Sequence, residues 1–449
     1  MLIEPMHTAS TAPDLNATQK LALSVHGSGW LLLIASAYSA LKNQALIMLI
    51  LSVILIVAGA VIYIWKTEMS RPEGVANHHI WRSSLTNGNA LCYLIAFALT
   101  SFYVFYYWSY DMFGFEVFEP LYRLLDPLSY ALRGEATKHW FFYGTLYTFA
   151  ILITGFRVLL KYRHNRYQVI RTGSVMFFQT IFAWLIPALL VLFKQPEKYL
   201  NYSWPLSYKD LWPQNFMELW HSDTKLGLVL ALYGLAFTFI LTPILTYYFG
   251  KRWYCSWVCG CGGLANTLGD PWRQLSDKSE KAWKIEKVTI YSVLGFVIIS
   301  TLLLWVSWKF SIMTGFSSGL SKSYGFLIGL VFSGAIGVGF YPIFGTRVWC
   351  RFGCPQAAIL GMLQRVFSRF RITTNGSQCI SCGNCSTYCE MGIDVRSYAQ
   401  KGENINRASC VGCGICANVC PRGVLSLENG PMTTKYNSEL KFIGDMKSK

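Results

Sequence analysis

Cys379-Ile380-Ser381-Cys382-Gly383-Asn384-Cys385-Ser386-Thr387-Tyr388-Cys389 is followed by Cys410-Val411-Gly412-Cys413-Gly414-Ile415-Cys416-Ala417-Asn418-Val419-Cys420-Pro421. Both stretches are C-x2-C-x2-C-x3-C runs, and two such runs predict two cubane 4Fe-4S clusters in a small α+β domain of the bacterial-ferredoxin type. Three closely spaced thiolates wrap one cluster, and the fourth cysteine of each run reaches across to the other. The expected ligand sets are therefore Cys379, Cys382, Cys385 and Cys420 for cluster 1, and Cys410, Cys413, Cys416 and Cys389 for cluster 2. Gly383, Gly412 and Gly414 suit the tight turns that aim several sulfurs inward. Zinc explains the pattern less well, because zinc sites take four ligands as separated pairs and do not need two matched runs. Glu390 stands where the pattern has Pro after the fourth cysteine. That residue shapes the chain and is not a ligand.

Ten of the 14 cysteines fall in the last 100 residues. Such clustering favours metal ligation in a reducing compartment over disulfides. A second constellation lies upstream, in Phe249-Gly250-Lys251-Arg252-Trp253-Tyr254-Cys255-Ser256-Trp257-Val258-Cys259 and Phe344-Gly345-Thr346-Arg347-Val348-Trp349-Cys350-Arg351-Phe352-Gly353-Cys354. Each copy follows a hydrophobic hairpin, so the region reads as two parallel repeats of one unit. On a helix the C-x3-C spacing puts both sulfurs on one face. The four thiols are expected at the inner membrane surface, where they can hold a further metal centre, act as redox dithiols, or simply pack as small apolar groups. Cys261 extends the first motif as an extra ligand or a spectator. Cys92 is expected to be packing.

The remainder of the chain is membrane-like. Of 449 residues, 53% are hydrophobic, 16% aromatic and only 14% charged, with a mean hydropathy of +0.34. A spanning helix needs roughly 20 apolar residues, and about eight runs qualify: Val25 to Leu41, Ala45 to Trp65, Ala90 to Trp108, His139 to Leu160, Ser174 to Phe193, Leu226 to Phe249, Val288 to Trp308 and Tyr324 to Phe344. The first is short and holds Gly27 and Gly29. The net charge of +16 does not point to nucleic acid, because the basic residues are scattered through short loops. With the amino terminus inside, the inner loops carry about 14 Lys and Arg against about 10 outside. That bias places the C-terminal domain and both C-x3-C motifs on the cytoplasmic face of a bacterial inner membrane. Met1 to Gln19 lacks the pattern of a cleavable signal peptide.

Weaker candidates remain. The outer segments Asp111 to Lys138 and Gln195 to Thr224, rich in Trp, Tyr and Pro, are expected along the interface, with partner docking as the sharper alternative. Gly325, Gly329, Ser333 and Gly337 give the last run small faces for close packing. Arg157 is expected to snorkel to the interface, a quinone role being the alternative. His78 and His79 fall in an inner loop, while His26 and His139 are apparently on opposite sides of the membrane and offer no bis-histidine haem site. No nucleotide-binding glycine fingerprint occurs.

At Trp349-Cys350-Arg351-Phe352-Gly353-Cys354-Pro355-Gln356, with Cys255, Cys259 and the double ferredoxin run, the chain resembles the membrane polyferredoxins that include NapH-type quinol dehydrogenase subunits, NosR and CcoG. The resemblance covers Leu226 to Asn429 and departs at Gly260, where the family has Pro, and at the additional Cys261. No large flavin-binding insertion of the NosR kind is present, and the chain past Cys420 leaves no room for the β domain of CcoG-type proteins. About four further helices precede the NapH-like core.

The expected layout is a polar tail over 1–21, helices and outer loops over 22–224, a NapH-like core over 225–371, the ferredoxin domain over 372–430 and a tail over 431–449. The resemblance implies membrane iron–sulfur electron transfer between the quinol pool, or a cytoplasmic donor, and a partner redox protein. Two further readings stay open. One is a CcoG-like copper reductase or assembly factor for a respiratory enzyme, since thiolates suit Cu(I); the other is a redox sensor.

Overall fold

The computed structural model describes residues 15–38, 45–70, 90–222, 225–375 and 378–429. Most of the inner loop expected between the second and third runs, with His78 and His79, lies outside the described residues, as does the tail 431–449. Among the described residues seven helices are long and apolar enough to cross a membrane: Ile47–Met69, Ala90–Phe113, His139–Lys161, Arg166–Leu192, Lys225–Phe249, Glu280–Phe310 and Thr314–Ile336. The first of the eight expected runs forms the 22-residue helix Ala17–Tyr38 but is not among the seven. Gln19, Lys20, Ser24, His26 and Ser28 dilute its apolar character. It lies antiparallel on Ala45–Met69, where a Cβ on Gly59 would stand 2.5 Å from His26 N and one on Gly29 2.8 Å from Ile56. The glycines let these two backbones approach closely. Side chains such as Phe97, Val229, Phe239 and Leu302 are exposed on the spans and meet lipid, the solvent that tolerates such a surface.

Several boundaries differ from the sequence pattern, two spans most clearly. The helix expected from Ser174 begins at Arg166, because Asn165 caps it by accepting from Gln168 N at 3.2 Å, and Arg171 is buried inside the protein instead of lying in a loop. The last span begins at Thr314 and ends at Ile336. Beyond it the chain turns through Gly337 and Gly339 into the short helix Tyr341–Phe344. Two spans widen by a π-turn just ahead of a proline, at Ile181–Leu185 before Pro187 and at Phe237–Leu241 before Pro243. Proline has no N–H to give the preceding turn, and the widened turn accommodates the loss.

The segments between the spans position the site. After Phe249 and after Phe344 the chain does not run along a membrane surface but folds back into the bundle. Gly260 illustrates the depth: a Cβ there would lie 2.5 Å from Gln179 Oε1 and 3.3 Å from the Tyr147 ring. Gln179 is the middle residue of the span Arg166–Leu192. Irregular backbone is tolerated so deep only when protein surrounds it, and Trp253, Tyr254, Cys255, Ser256 and Cys259 are all buried. This corrects the expectation that the first C-x3-C motif sits at the membrane surface.

In the C-terminal region, β1 (Phe370–Thr374) pairs antiparallel with β2 (Leu425–Asn429), Ile372 opposite Leu427. Between the strands run three short helices, Asn384–Thr387, Val395–Lys401 and Ile415–Asn418. The domain is fastened to the bundle. Tyr167 Oη donates to Gly412 O at 2.8 Å, Lys251 Nζ to Ile405 O at 2.8 Å, Arg252 Nε to Ala408 O at 2.8 Å, and Ser276 Oγ to Glu390 O at 2.7 Å.

Candidate electron-transfer site

The eight ferredoxin-type cysteines separate into two groups in space. Cys379, Cys382, Cys385 and Cys420 line one small cavity. Cys389, Cys410, Cys413 and Cys416 line another. Each group takes three thiols from one run and the last thiol of the other. The two halves repeat in detail: Ile393 N donates to Cys389 Sγ at 3.4 Å and Val424 N to Cys420 Sγ at 3.3 Å. Gly392 (φ +61°) and Gly423 (φ +62°) make the turns that bring those amides round, and Gly383 (φ +81°) and Gly414 (φ +73°) start the short helices bearing Cys385 and Cys416. Such φ values favour glycine. Burial pushes the Cys385 thiol up to about 11 and that of Cys389 up to about 12. A thiolate in such a place needs a positive centre beside it, and iron supplies one.

The C-x3-C cysteines do not share a helix face. Cys255 lies in the short helix Trp253–Trp257, whereas Cys259 is extended (φ −67°, ψ 127°) and opens the helix Gly260–Thr267. Cys350 and Cys354 repeat this arrangement, with Cys354 (φ −84°, ψ 114°) opening Pro355–Phe367. The expected single helical face is thereby replaced by a break at the second cysteine of each pair. All four thiols are buried in one cluster and interact electrostatically with one another. Cys259 is also in hydrogen-bonding contact with Cys261.

What holds the two motifs together is a reciprocal exchange. Arg252 of the first repeat donates through Nη1 to Cys350 O at 2.7 Å, and Arg347 of the second donates through Nη1 to Cys255 O at 3.3 Å. The glycines exchange in the same way. Gly250 (φ +56°) is packed under Ser368, and Gly345 (φ +86°) under Ser276, with no room for a Cβ at either. Each half thus completes the other around an approximate two-fold axis. Gly262 is part of this joint: its Cβ would stand 1.9 Å from Cys255 O and 3.0 Å from Arg347 Nη1. We expect Gly262→Ala to cost at least about 3 kcal/mol and to lower the thermal midpoint sharply. Gly295→Ala, with nothing within 4 Å of the new Cβ, should be neutral or slightly stabilising.

Charge is arranged around the thiols. Arg347 Nη2 pairs with Glu390 Oε1 at 3.1 Å, and its Nη1 lies 3.8 Å from Cys350 Sγ. Glu390 also meets Arg273 Nη2 at 3.6 Å. Burial raises the Glu390 carboxyl, but Arg347 and Arg273 outweigh it and hold the group down at about 2. Arg351 Nε donates to Glu286 Oε2 at 2.7 Å. Lys251, Arg252 and Arg171 are buried as well, yet bond only neutral groups. Lys251 reaches Ile405 O, Arg252 the Ala408 and Cys350 carbonyls, and Arg171 Ser256 Oγ and Asn266 Oδ1. Among the described residues, none of the three forms an ion pair with a carboxylate. Buried cations are costly without counter-charge, so anionic groups are favoured at both places these cations face, Arg252 beside Cys255 and Cys350, and Lys251 and Arg171 beside Cys410 and Cys413.

Comparison with known proteins agrees with the geometry. A family model described as a 4Fe-4S dicluster domain matches residues 378–425, and one described as a 4Fe-4S binding domain matches twice, over 231–283 and 326–373. The second result finds the two repeats independently. The chain carries the iron–sulfur domains that a membrane polyferredoxin would have. YccM of Escherichia coli (strain K12), provisionally named an electron transport protein, is 27% identical over 159 residues, covering 33% of this chain and 44% of YccM. The chain therefore matches less than half the length of that relative. No solved structure matches the chain.

Several other expectations resolve here. Arg157 does not snorkel: it pairs inward with Glu68 at 3.2 Å and with Asp270 at 3.0 Å, because Asp270 is wholly buried and also draws in Lys161 at 2.7 Å. The small residues of the last span receive aromatic rings. Gly325 and Gly329 face Tyr208, Gly334 faces Tyr103 and Tyr107, and Gly337 faces Trp349. Cys92 is fully buried. The residues that sequence reading passed over are Arg252 and Arg347. They stand at equal offsets within the repeated stretches, and that equivalence was the available signal.

Proposed function

We propose that this protein relays electrons between the membrane quinol pool and a partner redox protein, with Cys379, Cys382, Cys385 and Cys420 holding one 4Fe-4S cluster and Cys389, Cys410, Cys413 and Cys416 the other. Its iron–sulfur electron-transfer role follows from the domains it carries; the quinol, the partner and these ligand sets are the proposal. Cys255, Cys259, Cys350 and Cys354 together hold a third, anionic iron–sulfur centre. The observation that carries this reading is four mutually close buried thiols, two from each repeat, with the buried Arg252 and Arg347 beside Cys255 and Cys350. The Arg347–Glu390 pair joins those thiols to the loop of Cys389, and so joins this centre to the second cluster. The domain's face is assigned to the cytoplasm of a bacterial inner membrane from the basic residues at that end, Lys161, Arg163 and Arg166.

A copper site at the C-x3-C thiols is the second reading. Soft thiolates favour it. Four buried thiols, two from each repeat, supply one ligand for each iron of a cubane, and that match favours the iron–sulfur centre. The test uses anaerobic full-length protein in lipid nanodiscs, mixed with a short-chain quinol while the iron–sulfur absorbance is followed. The centres should become reduced by the quinol and reoxidised by the matching quinone. If neither occurs with all clusters intact, the quinol assignment is wrong.

A further inference from the structure

A cavity of about 600 Å³ runs between the spans and the segment Glu197 to Lys209, and Cys261 belongs to its wall. Tyr107, Tyr143, Tyr147 and Tyr202 line it as flat aromatic surface. Gln179 reaches it from the middle of its span. Its Nε2 donates to Thr148 Oγ1 at 3.1 Å, which fixes the amide, while Oε1 is buried and has no hydrogen-bond partner. Gln179 is 3% exposed. The Tyr147 hydroxyl is likewise buried and unpartnered. Gln179 Oε1 and the Tyr147 ring border Gly260, the position at which Pro would occupy the family's motif, and a Cβ at Gly260 would lie 2.5 Å from Gln179 Oε1 and 3.3 Å from Tyr147 Cε1. A buried acceptor without a donor is destabilising unless a ligand or water supplies one. Three of the charged groups lining the cavity are paired, Arg133 with Glu135 at 2.8 Å and Glu197 at 3.1 Å and Lys138 with Glu135 at 2.8 Å, while Lys209 lies over the Tyr208 and Trp212 rings.

We infer that this cavity is the binding site for a neutral hydroquinone ring, seated among the tyrosines with one hydroxyl donating to Gln179 Oε1 and its edge toward Cys261. This rests on the quinol reading and gives it a place. A neutral, flat, hydrogen-bond-donating ring matches these properties of the wall: aromatic faces, one orphan acceptor and one adaptable hydroxyl. Cys261 touches Cys259, so the ring stands beside the C-x3-C centre. On oxidation the hydroquinone loses two electrons and two protons and leaves as the quinone. The electrons pass singly to two of the iron–sulfur centres, and the protons depart to water through the cavity.

The experiment measures equilibrium binding of labelled menadiol, the hydroquinone, to the full-length dithionite-reduced protein in nanodiscs, where the reduced centres cannot oxidise it and binding is read independently of turnover. Gln179→Leu removes the acceptor, and Gly144→Leu fills the cavity at a position where the nearest atom to a new Cβ is Trp184 Cδ1 at 3.8 Å. Each should weaken menadiol by at least about tenfold while the EPR signals of the dithionite-reduced clusters stay as in the parent. If menadiol binds the parent and both folded variants equally, the site is elsewhere even though the quinol reading stands. If it fails to bind the parent and quinols do not reduce the clusters, both fall.

Discussion

Replacing Cys255, Cys259, Cys350 and Cys354 together by Ser should lower the iron content from about twelve to about eight atoms per chain. Ser is close to Cys in size, so the packing of Trp253, Tyr254 and Trp349 around these positions is retained, while the soft ligands are gone. The redox titration should lose one centre and keep two ferredoxin-type signals. Loss of a dianionic centre would also leave Arg252 buried without counter-charge, so the variant should be less stable even though its apolar contacts survive. Finding about eight irons in the parent protein and in the variant alike would dismiss the third centre and return the C-x3-C thiols to copper binding or dithiol chemistry. A copper titration then separates those two.

Glu390→Gln should cost about 3–5 kcal/mol. Glu390 is 1% exposed and shared by Arg347 and Arg273, so the neutral amide abandons two buried guanidiniums at once. Because Arg347 also holds Cys255 O, the loss should spread to the first C-x3-C motif. Hydrogen exchange should then speed up in both regions, with the amides of Trp253 to Cys259 as the reporter far from the substitution in sequence. Glu390→Pro, which restores the usual ferredoxin residue, should be no better tolerated. A stability change below about 1 kcal/mol would show that the pair is not the joint between domain and bundle.

Glu390 also marks where sequence reading stopped short. As a departure from the ferredoxin pattern it looked harmless, since it is no ligand; its partners Arg273 and Arg347 lie in other segments and only folding reveals them. The cysteine runs were readable because spacing alone restricts what short loops can wrap. The spans were readable because bilayer thickness imposes a length on apolar runs, although Thr314 to Ser323 was too polar to be recognised as the start of the last one. The depth of the C-x3-C motifs was not readable. Trp253-Tyr254-Cys255 suits a membrane surface as well as an interior, and the choice is made by Gln179, Tyr147 and the other helices around it. Gln179 itself carried no signal, being one amide in an apolar helix whose meaning depends on a hydrogen bond it does not make.

The exchange of arginines between the repeats constrains how the protein is made. Arg347 lies 92 residues beyond the Cys255 carbonyl it holds, and Cys350 lies 98 residues beyond Arg252. When the span Glu280–Phe310 has been made and Arg347 has not, the first motif has three thiols and an arginine whose partners are still to come. Iron offered at that stage meets an incomplete set of ligands. Loading of the central thiols is therefore a late event in biogenesis, after the final hairpin has been delivered to the bilayer, and a chain truncated before Arg347 is a substrate for quality control and not for cofactor assembly.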